Sequence, residues 1–526
     1  MHLAEIVVFL FALVVALVLV ARRVAIPYPV LLVLGGLGLS FIPHLPELRL
    51  QPDVVFYFFL PALIYPTALF TSWRDFRRNL RSILLLAIGL VLFTMVVVAV
   101  VARWLLPDLP WPAAFALGAI VSPPDAVAAA SVIQRLAVPH RIEVILEGES
   151  LVNDATALVA LQFAVAAMTT GSFSLGGATG RFVVASLGGV AFGLLVGVVM
   201  RTIQRRLDDP PVQITISLLT PFVAYLPAES LHVSGVLATV TAGIYLGWHS
   251  PLMTGARTRL QSATFWEMIA FLLNGFVFVT IGLQLRSILR ELGSTSLWTV
   301  VWQAVLISAA VVLVRIAWVF PAAYIPRYLF RGIRRRDPYP GWRNIAIVAW
   351  AGMRGVISLA AAFALPFALP NGQPFPARNY ILFFTFFVIL TTLVFQGLTL
   401  PLIIRQLHIP PDRSTDEEER SARFQANKAA LKLIEGYTGN GDFSADAIQR
   451  LRAEYEDRLE QLQLCVDNPE DCSGQVATPQ YQRLQQEALH VERQTIIQLR
   501  NQQIINDDAL RRIQRDLDLA ETRLAG

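Results

Sequence analysis

Apolar runs of about twenty residues, separated by short polar loops, recur through the first four-fifths of the chain and then stop. As a helix, such a run advances about 30 Å, which matches the hydrocarbon core of a bilayer, and its internal hydrogen bonds leave no backbone polar group to lipid. Thirteen segments fit this pattern: 3–21, 26–42, 52–70, 82–104, 112–134, 142–168, 182–203, 211–226, 231–247, 264–286, 297–325, 344–370 and 378–404. The weakest division falls between the eighth and ninth, around PAESLH, where twelve or fourteen crossings would also fit. Beyond residue 410, Leu and Ile recur among Arg, Glu and Gln in 421–435, 443–465 and 478–523, with turn sequences GYTGNGD and DNPEDCSG between them. The pattern predicts an all-α polytopic membrane part over 1–410 and a cytoplasmic helical tail over 411–526. The tail reads as a hairpin or short coiled coil, with a regulatory, dimer-stabilising or merely peripheral role.

Composition agrees, with 55% hydrophobic and 15% charged residues among 526, against about 25% charged in a soluble chain. The formal charge of +5 hides an asymmetry. Residues 1–410 hold 28 Lys+Arg and 16 Asp+Glu, while the tail holds 15 and 22. The basic excess lies between apolar runs, as a membrane protein requires, and is no footprint for nucleic acid. The loops after odd-numbered segments, with the residues that flank them, hold 21 Lys+Arg, and those after even-numbered segments hold six. The positive-inside rule then places the N-terminus outside and the tail in the cytoplasm. The start MHLAE lacks a basic region, so a cleaved signal peptide is not expected. Cys465 and Cys472 make neither a disulfide framework nor a metal cluster. Abundant Arg, little Lys and compact loops point to a bacterial inner membrane.

Ionisable residues at membrane depth carry the candidate chemistry. In the fifth segment, Asp125 follows Pro123 and Pro124, a pair that removes backbone donors and breaks the helix. Asp125 then either caps the freed backbone, walls an ion site, or does both. In the sixth, Glu149 and Asn153 share one helical face and Ser150 and Asp154 the next. Asp154 lies too deep to face lipid as a charge, so it must meet a polar cavity, pair, or take a proton. Glu143 and Glu147 precede it toward the cytoplasmic end. In the twelfth, Arg354 stands between Gly352 and Gly355 and needs a buried carboxylate, for which Glu149 is the choice. Arg315 in the eleventh is open between an unwound carbonyl, a second carboxylate and snorkelling. Asn274 and Gly275 line either a helix contact or the pore. Segments 5 and 12 occupy equivalent places if helices 1–6 and 8–13 form two inverted halves around helix 7.

SPPDAVA at 122–128, EGESLVND at 147–154, FLLNG at 271–275 and GMRG at 352–355 together resemble the monovalent cation:proton antiporter-1 family, the bacterial sodium/proton exchangers related to the animal NHE proteins. The resemblance covers nearly all of residues 1 to about 410. It implies thirteen helices in an inverted repeat, two crossed discontinuous helices, a moving core, and a homodimer. It implies that Asp154 is the ion- and proton-carrying carboxylate, Asn153 its adjacent amide, Asp125 the acid that orders the site and Ser150 a hydroxyl ligand, so that Asp154, Asp125 and Ser150 would hold the monovalent cation. Glu149 and Arg354 would be the buried core salt bridge, with Arg315 and Asn274 as accessory groups. Some members have Thr before the equivalent of Asp125, whereas here Pro124 offers only its carbonyl. The Asn153–Asp154 pair resembles the electroneutral branch.

The expected function is secondary antiport of Na+, or of Li+ or K+, against H+, by alternating access with competition at Asp154 and no resident cofactor. A K+/H+ antiporter is the nearest alternative. A cation channel would need a continuous selectivity lining, and a membrane sensor would use the tail as output. No HExxH, nucleophile elbow or phosphate loop supports an enzyme.

Overall fold

The computed structural model describes residues 3–24, 26–42, 51–133, 136, 138–170, 175–292, 296–369, 372–409, 414–437 and 444–467, with isolated positions beyond. Cys472 and nearly all of the expected third tail helix, 478–523, lie outside the described residues. Two compact units result, Met1–Asp412 and Arg413–Gly526.

The first unit is an all-helical polytopic bundle. Among the described residues, nine helical stretches are long and apolar enough to cross a membrane: Pro52–Phe70, Trp73–Leu105, Trp111–Ser131, His140–Thr169, Thr179–Gln204, Pro210–Ser230, Arg257–Arg290, Leu297–Leu329 and Arg378–Leu407. The other four expected segments fall on Leu3–Val24, Tyr28–Ser40, Gly235–Met253 and the pair Trp342–Trp350 and Val356–Phe363. Two of these are short for clear reasons. Tyr28–Ser40 has 13 residues, only about 20 Å of helix, and the last pair is interrupted at 351–355.

Outward faces are apolar, as lipid contact requires. Trp104, Trp298, Phe367 and Tyr328 are each more than 70% exposed, a pattern that water would punish and a bilayer favours. Between helices, glycines replace side chains at the closest crossings. A Cβ on Gly36 would stand 2.1 Å from the Val279 carbonyl oxygen, and one on Gly282 would stand 2.2 Å from that of Val33. Tyr28–Ser40 and Ala256–Leu283 therefore touch backbone to backbone, the approach by which dispersion substitutes for the hydrophobic effect in lipid.

Two helices are discontinuous. Trp111–Val121 stops at Ser122-Pro123-Pro124-Asp125 before Ala126–Ile133 resumes, because the proline pair withholds two N–H groups. Trp342–Trp350 stops at Ala351–Gly355 before Val356–Phe363. The breaks lie against one another, since the Asp125 N–H donates to the Met353 carbonyl at 2.7 Å. In the second unit, Ser414–Gly436 and Ala445–Asp467 pack together, with Arg452 4.0 Å from Glu435.

Gly36→Ala is expected to destabilise the bundle by about 1–3 kcal/mol, the usual cost of forcing volume into a filled contact. A lowered midpoint in thermal unfolding followed by tryptophan fluorescence would register it.

Candidate ion-binding site

Four unwound residues in the first broken helix and five in the second leave carbonyls without N–H partners at one end and N–H groups without carbonyls at the other. Opposite charges collect at the opposite ends. Arg354, fully buried, donates from Nε to the Val121 carbonyl at 3.1 Å and from Nη1 to the Gly352 carbonyl, so its guanidinium closes the C-terminal ends of both leading half-helices. Its own N–H donates to Thr392 Oγ1 at 3.1 Å. Asp125 sits at the other ends. Its Oδ1 accepts from the Val127 N–H at 2.9 Å, capping Ala126–Ile133. A Cβ on Gly355 would stand 1.8 Å from Asp125 Oδ2, so only glycine admits this carboxylate to the start of Val356–Phe363. A cation at helix C-termini and an anion at helix N-termini is the arrangement that the helix dipoles favour.

The long helix His140–Thr170 crosses beside this junction. The Ala126 N–H donates to Ser150 Oγ at 3.3 Å, and Asn153 Nδ2 donates to the Pro124 carbonyl at 3.0 Å. The Pro124 carbonyl, the oxygen this residue has to offer, thus holds Asn153. Asn153 Oδ1 is buried and has no hydrogen-bond partner among the described residues. Asp154 is 4% exposed and close enough to Asp125 for their charges to repel. Asp125, Ser150, Asp154 and Asn274 line one cavity of about 710 Å³, which reaches exposed Arg22, Phe70 and Glu267. Asn274 faces this cavity, while Gly275 meets Val14 of the first helix.

The expected Glu149–Arg354 salt bridge does not form. Both oxygens of Glu149 are taken by Arg315, with Nη1–Oε1 at 2.5 Å and Nη2–Oε2 at 2.8 Å, in a pair that is 1% and 0% exposed. Arg315 also donates from Nε and Nη2 to the Val348 carbonyl at 3.1 and 3.0 Å, in the last turn before the second break. The planar fork of Arg315 fills the carboxylate, and Arg354 goes instead to the carbonyls of the breaks. Gly352 lets the two guanidiniums pass, since a Cβ there would stand 2.3 Å from Arg315 Cδ and 2.9 Å from Arg354 Nη1. Of the alternatives for Arg315, none is met as stated: it takes Glu149, the carboxylate expected for Arg354, together with a carbonyl in the last helical turn before the break.

Two features carried no signal in the sequence. Thr392 and Ser358 are buried hydroxyls among apolar neighbours, indistinguishable along the chain from ordinary helix-facing ones, yet Thr392 anchors Arg354 and Ser358 lines the cavity. Nearer the surface, Asp337 is held by three arginines that read as loop charge: Arg81 at 2.7 Å, Arg141 at 2.8 Å and Arg327 at 2.6 Å.

The profile of the family described as sodium/hydrogen exchanger, transmembrane, matches residues 9–406. The chain belongs to the sodium/hydrogen exchanger family. This exchanger is 37% identical to an uncharacterized Na(+)/H(+) exchanger of Mycobacterium tuberculosis over 99% of its own length and 96% of that protein. It is 34% identical to a sodium, potassium, lithium and rubidium/H(+) antiporter of Bacillus subtilis, covering 83% of this chain and 66% of the other. Its fold matches the sodium proton antiporter MjNhaP1 of Methanocaldococcus jannaschii at pH 8, with a TM-score of 0.61, 18% identity and coverage of 77% and 98%.

A double-mutant cycle separates the two arginines. Arg315→Met is expected to cost about 3–5 kcal/mol, because it strands the Glu149 charge. Adding Glu149→Gln should restore much of that. Arg354→Met combined with Glu149→Gln should show no such recovery, as read from thermal unfolding midpoints of the purified variants.

Proposed function

We propose that this sodium/hydrogen exchanger carries Na+ and H+ in competition at Asp154, with Asp125, Ser150 and Asn153 completing the site, in a one-for-one electroneutral cycle. The chain is a secondary cation/proton antiporter that works by alternating access, and not an enzyme. The observation that carries the finer reading is the balance of charge at the buried junction. Arg315 and Arg354 contribute two fixed positive charges; buried Glu149 and Asp154 and half-buried Asp125 contribute three negative ones when ionised. One negative charge is left in excess. In a low-dielectric interior that excess is unfavourable to move, and either one Na+ or one H+ cancels it. The loaded core can therefore cross between states in two neutral forms, whereas the empty charged form is held back. Such a rule yields exchange rather than leak.

The role of Asp125 fits this scheme. With one oxygen capping a helix and the other against Gly355, its position is fixed, and Asp154 is a carboxylate with no hydrogen bond to relinquish among the described residues. The unpartnered Asn153 Oδ1 adds a neutral oxygen to a hard-cation ligand set.

The cavity reaches Arg22 and, at Phe70, the end of the helix that precedes the basic stretch Arg74–Arg81 in the chain. With the positive-inside orientation, N-terminus outside and tail in the cytoplasm, this is an inward-facing state. Thirteen crossings in an inverted repeat would place the two broken helices at matched positions in the two halves, which their face-to-face breaks support. A homodimer would bury part of the outward apolar row Val184, Leu187 and Leu195 on Leu175–Gln204, which are 66, 66 and 58% exposed. The breadth of ions named for the Bacillus subtilis relative favours including K+ and Li+ among the cations tested.

Sealed proteoliposomes with an internal pH dye and a fixed proton gradient test the reading. Na+ is expected to drive proton movement in the wild type, and Asp154→Asn to abolish it. Clamping the membrane potential should leave the wild-type rate unchanged. A potential-dependent rate would refute the one-for-one cycle, and proton movement in folded Asp154→Asn would refute the site.

A further inference from the structure

One carboxylate on the ion's route is assigned no part in the site. Glu147 lines the same cavity as Asp154, seven residues earlier on His140–Thr170. Seven residues are two turns, so Glu147 lies about 10 Å nearer the mouth on the same helical face. Exposure falls steadily inward, from exposed Glu267 through partly buried Glu147 to buried Asp154. Among the described residues Glu147 makes no hydrogen bond and no ion pair, unlike Glu149 two positions on. A carboxylate drawn into an apolar funnel without a partner is costly to keep charged unless something mobile attends it.

From this position we propose that Glu147 is a second, transient site for a monovalent cation, a way-station where the entering ion sheds part of its water before reaching Asp154. The proposal rests on the antiporter reading and adds a residue to its path. Low-dielectric walls focus the field of a single charge along a cavity, which raises the local cation concentration and the rate of capture. Ser131 on Ala126–Ile133 lines the same cavity and offers a hydroxyl oxygen, its proton already donated to the Ala128 carbonyl at 2.8 Å. Such a site speeds loading from one side only, because the conformation that opens the opposite face closes this funnel. It contributes nothing to the step in which the loaded core moves.

Everted membrane vesicles, whose outer surface is the mouth-bearing face, test this with added Na+ and a pH dye. Glu147→Gln is expected to raise the apparent KM for Na+ about three- to tenfold with maximal rate within about twofold, and Glu147→Asp to restore it. Because the effect is electrostatic, N-methyl-D-glucamine chloride should raise the wild-type KM and leave that of Glu147→Gln nearly unchanged. Na+ supplied from the opposite face should show no difference between them. A purely structural role would lower the amount of folded exchanger and its maximal rate without salt or side dependence. The proposal is overturned by an unchanged KM in folded Glu147→Gln, by a KM shift indifferent to ionic strength, or by complete loss of exchange, which would put Glu147 in the transport site itself. Should Glu147→Gln fail to insert, a wild-type KM insensitive to added N-methyl-D-glucamine would overturn it equally. A wild type that moves no protons with any cation would sink the antiporter reading and this proposal together, whereas the KM outcomes bear on Glu147 alone.

Discussion

Unsatisfied backbone at membrane depth is the constraint from which the rest of this architecture follows. Two helices are broken at membrane depth, where lipid cannot pair their freed carbonyls and N–H groups, and such groups cannot remain bare in hydrocarbon. The protein answers by setting one break against the other. Arg354 closes the C-terminal ends and Asp125 the N-terminal ends, with the Asp125 N–H bonded to the Met353 carbonyl at 2.7 Å as the direct link between them. Everything ionisable nearby is arranged about that crossing.

The crossing also explains the division of labour among the charges. Arg354 is spent on carbonyls, so the carboxylate of Glu149 needs a different cation, and Arg315 supplies it from Leu297–Leu329. That pair joins the long helix carrying Asp154 to a neighbour, and the grip of Arg141 and Arg327 on Asp337 joins the same two helices again toward the basic face. Two such rungs favour motion of these helices as one body. Asp154 stays outside both devices. Among the described residues it makes no hydrogen bond and no ion pair, whereas Glu149, Arg315 and Arg354 each have fixed partners.

Much of this was legible along the chain. Apolar run length identified the helices, since the bilayer sets that length. The proline pair before Asp125 and the glycines around Arg354 marked both breaks, because each residue type acts on its own backbone. Asp154 was marked as a carboxylate too deep to face lipid, and the structure buries it. Less visible was how many helices are long enough by themselves, as Tyr28–Ser40 and the interrupted Trp342–Trp350 fall short of the usual span.

The sequence by itself determined which residues are ionisable at membrane depth and where the backbone must break, for these are local properties of side chain and φ. Partner choice was decided only by tertiary structure. Glu149 lies 166 residues from Arg315 and farther still from Arg354, and nothing in spacing distinguishes two buried arginines competing for one carboxylate. The outcome depends on whether a planar guanidinium can align with both oxygens, and on which arginine the unwound carbonyls claim first. Those are questions of distance and direction between helices, which no linear pattern carries.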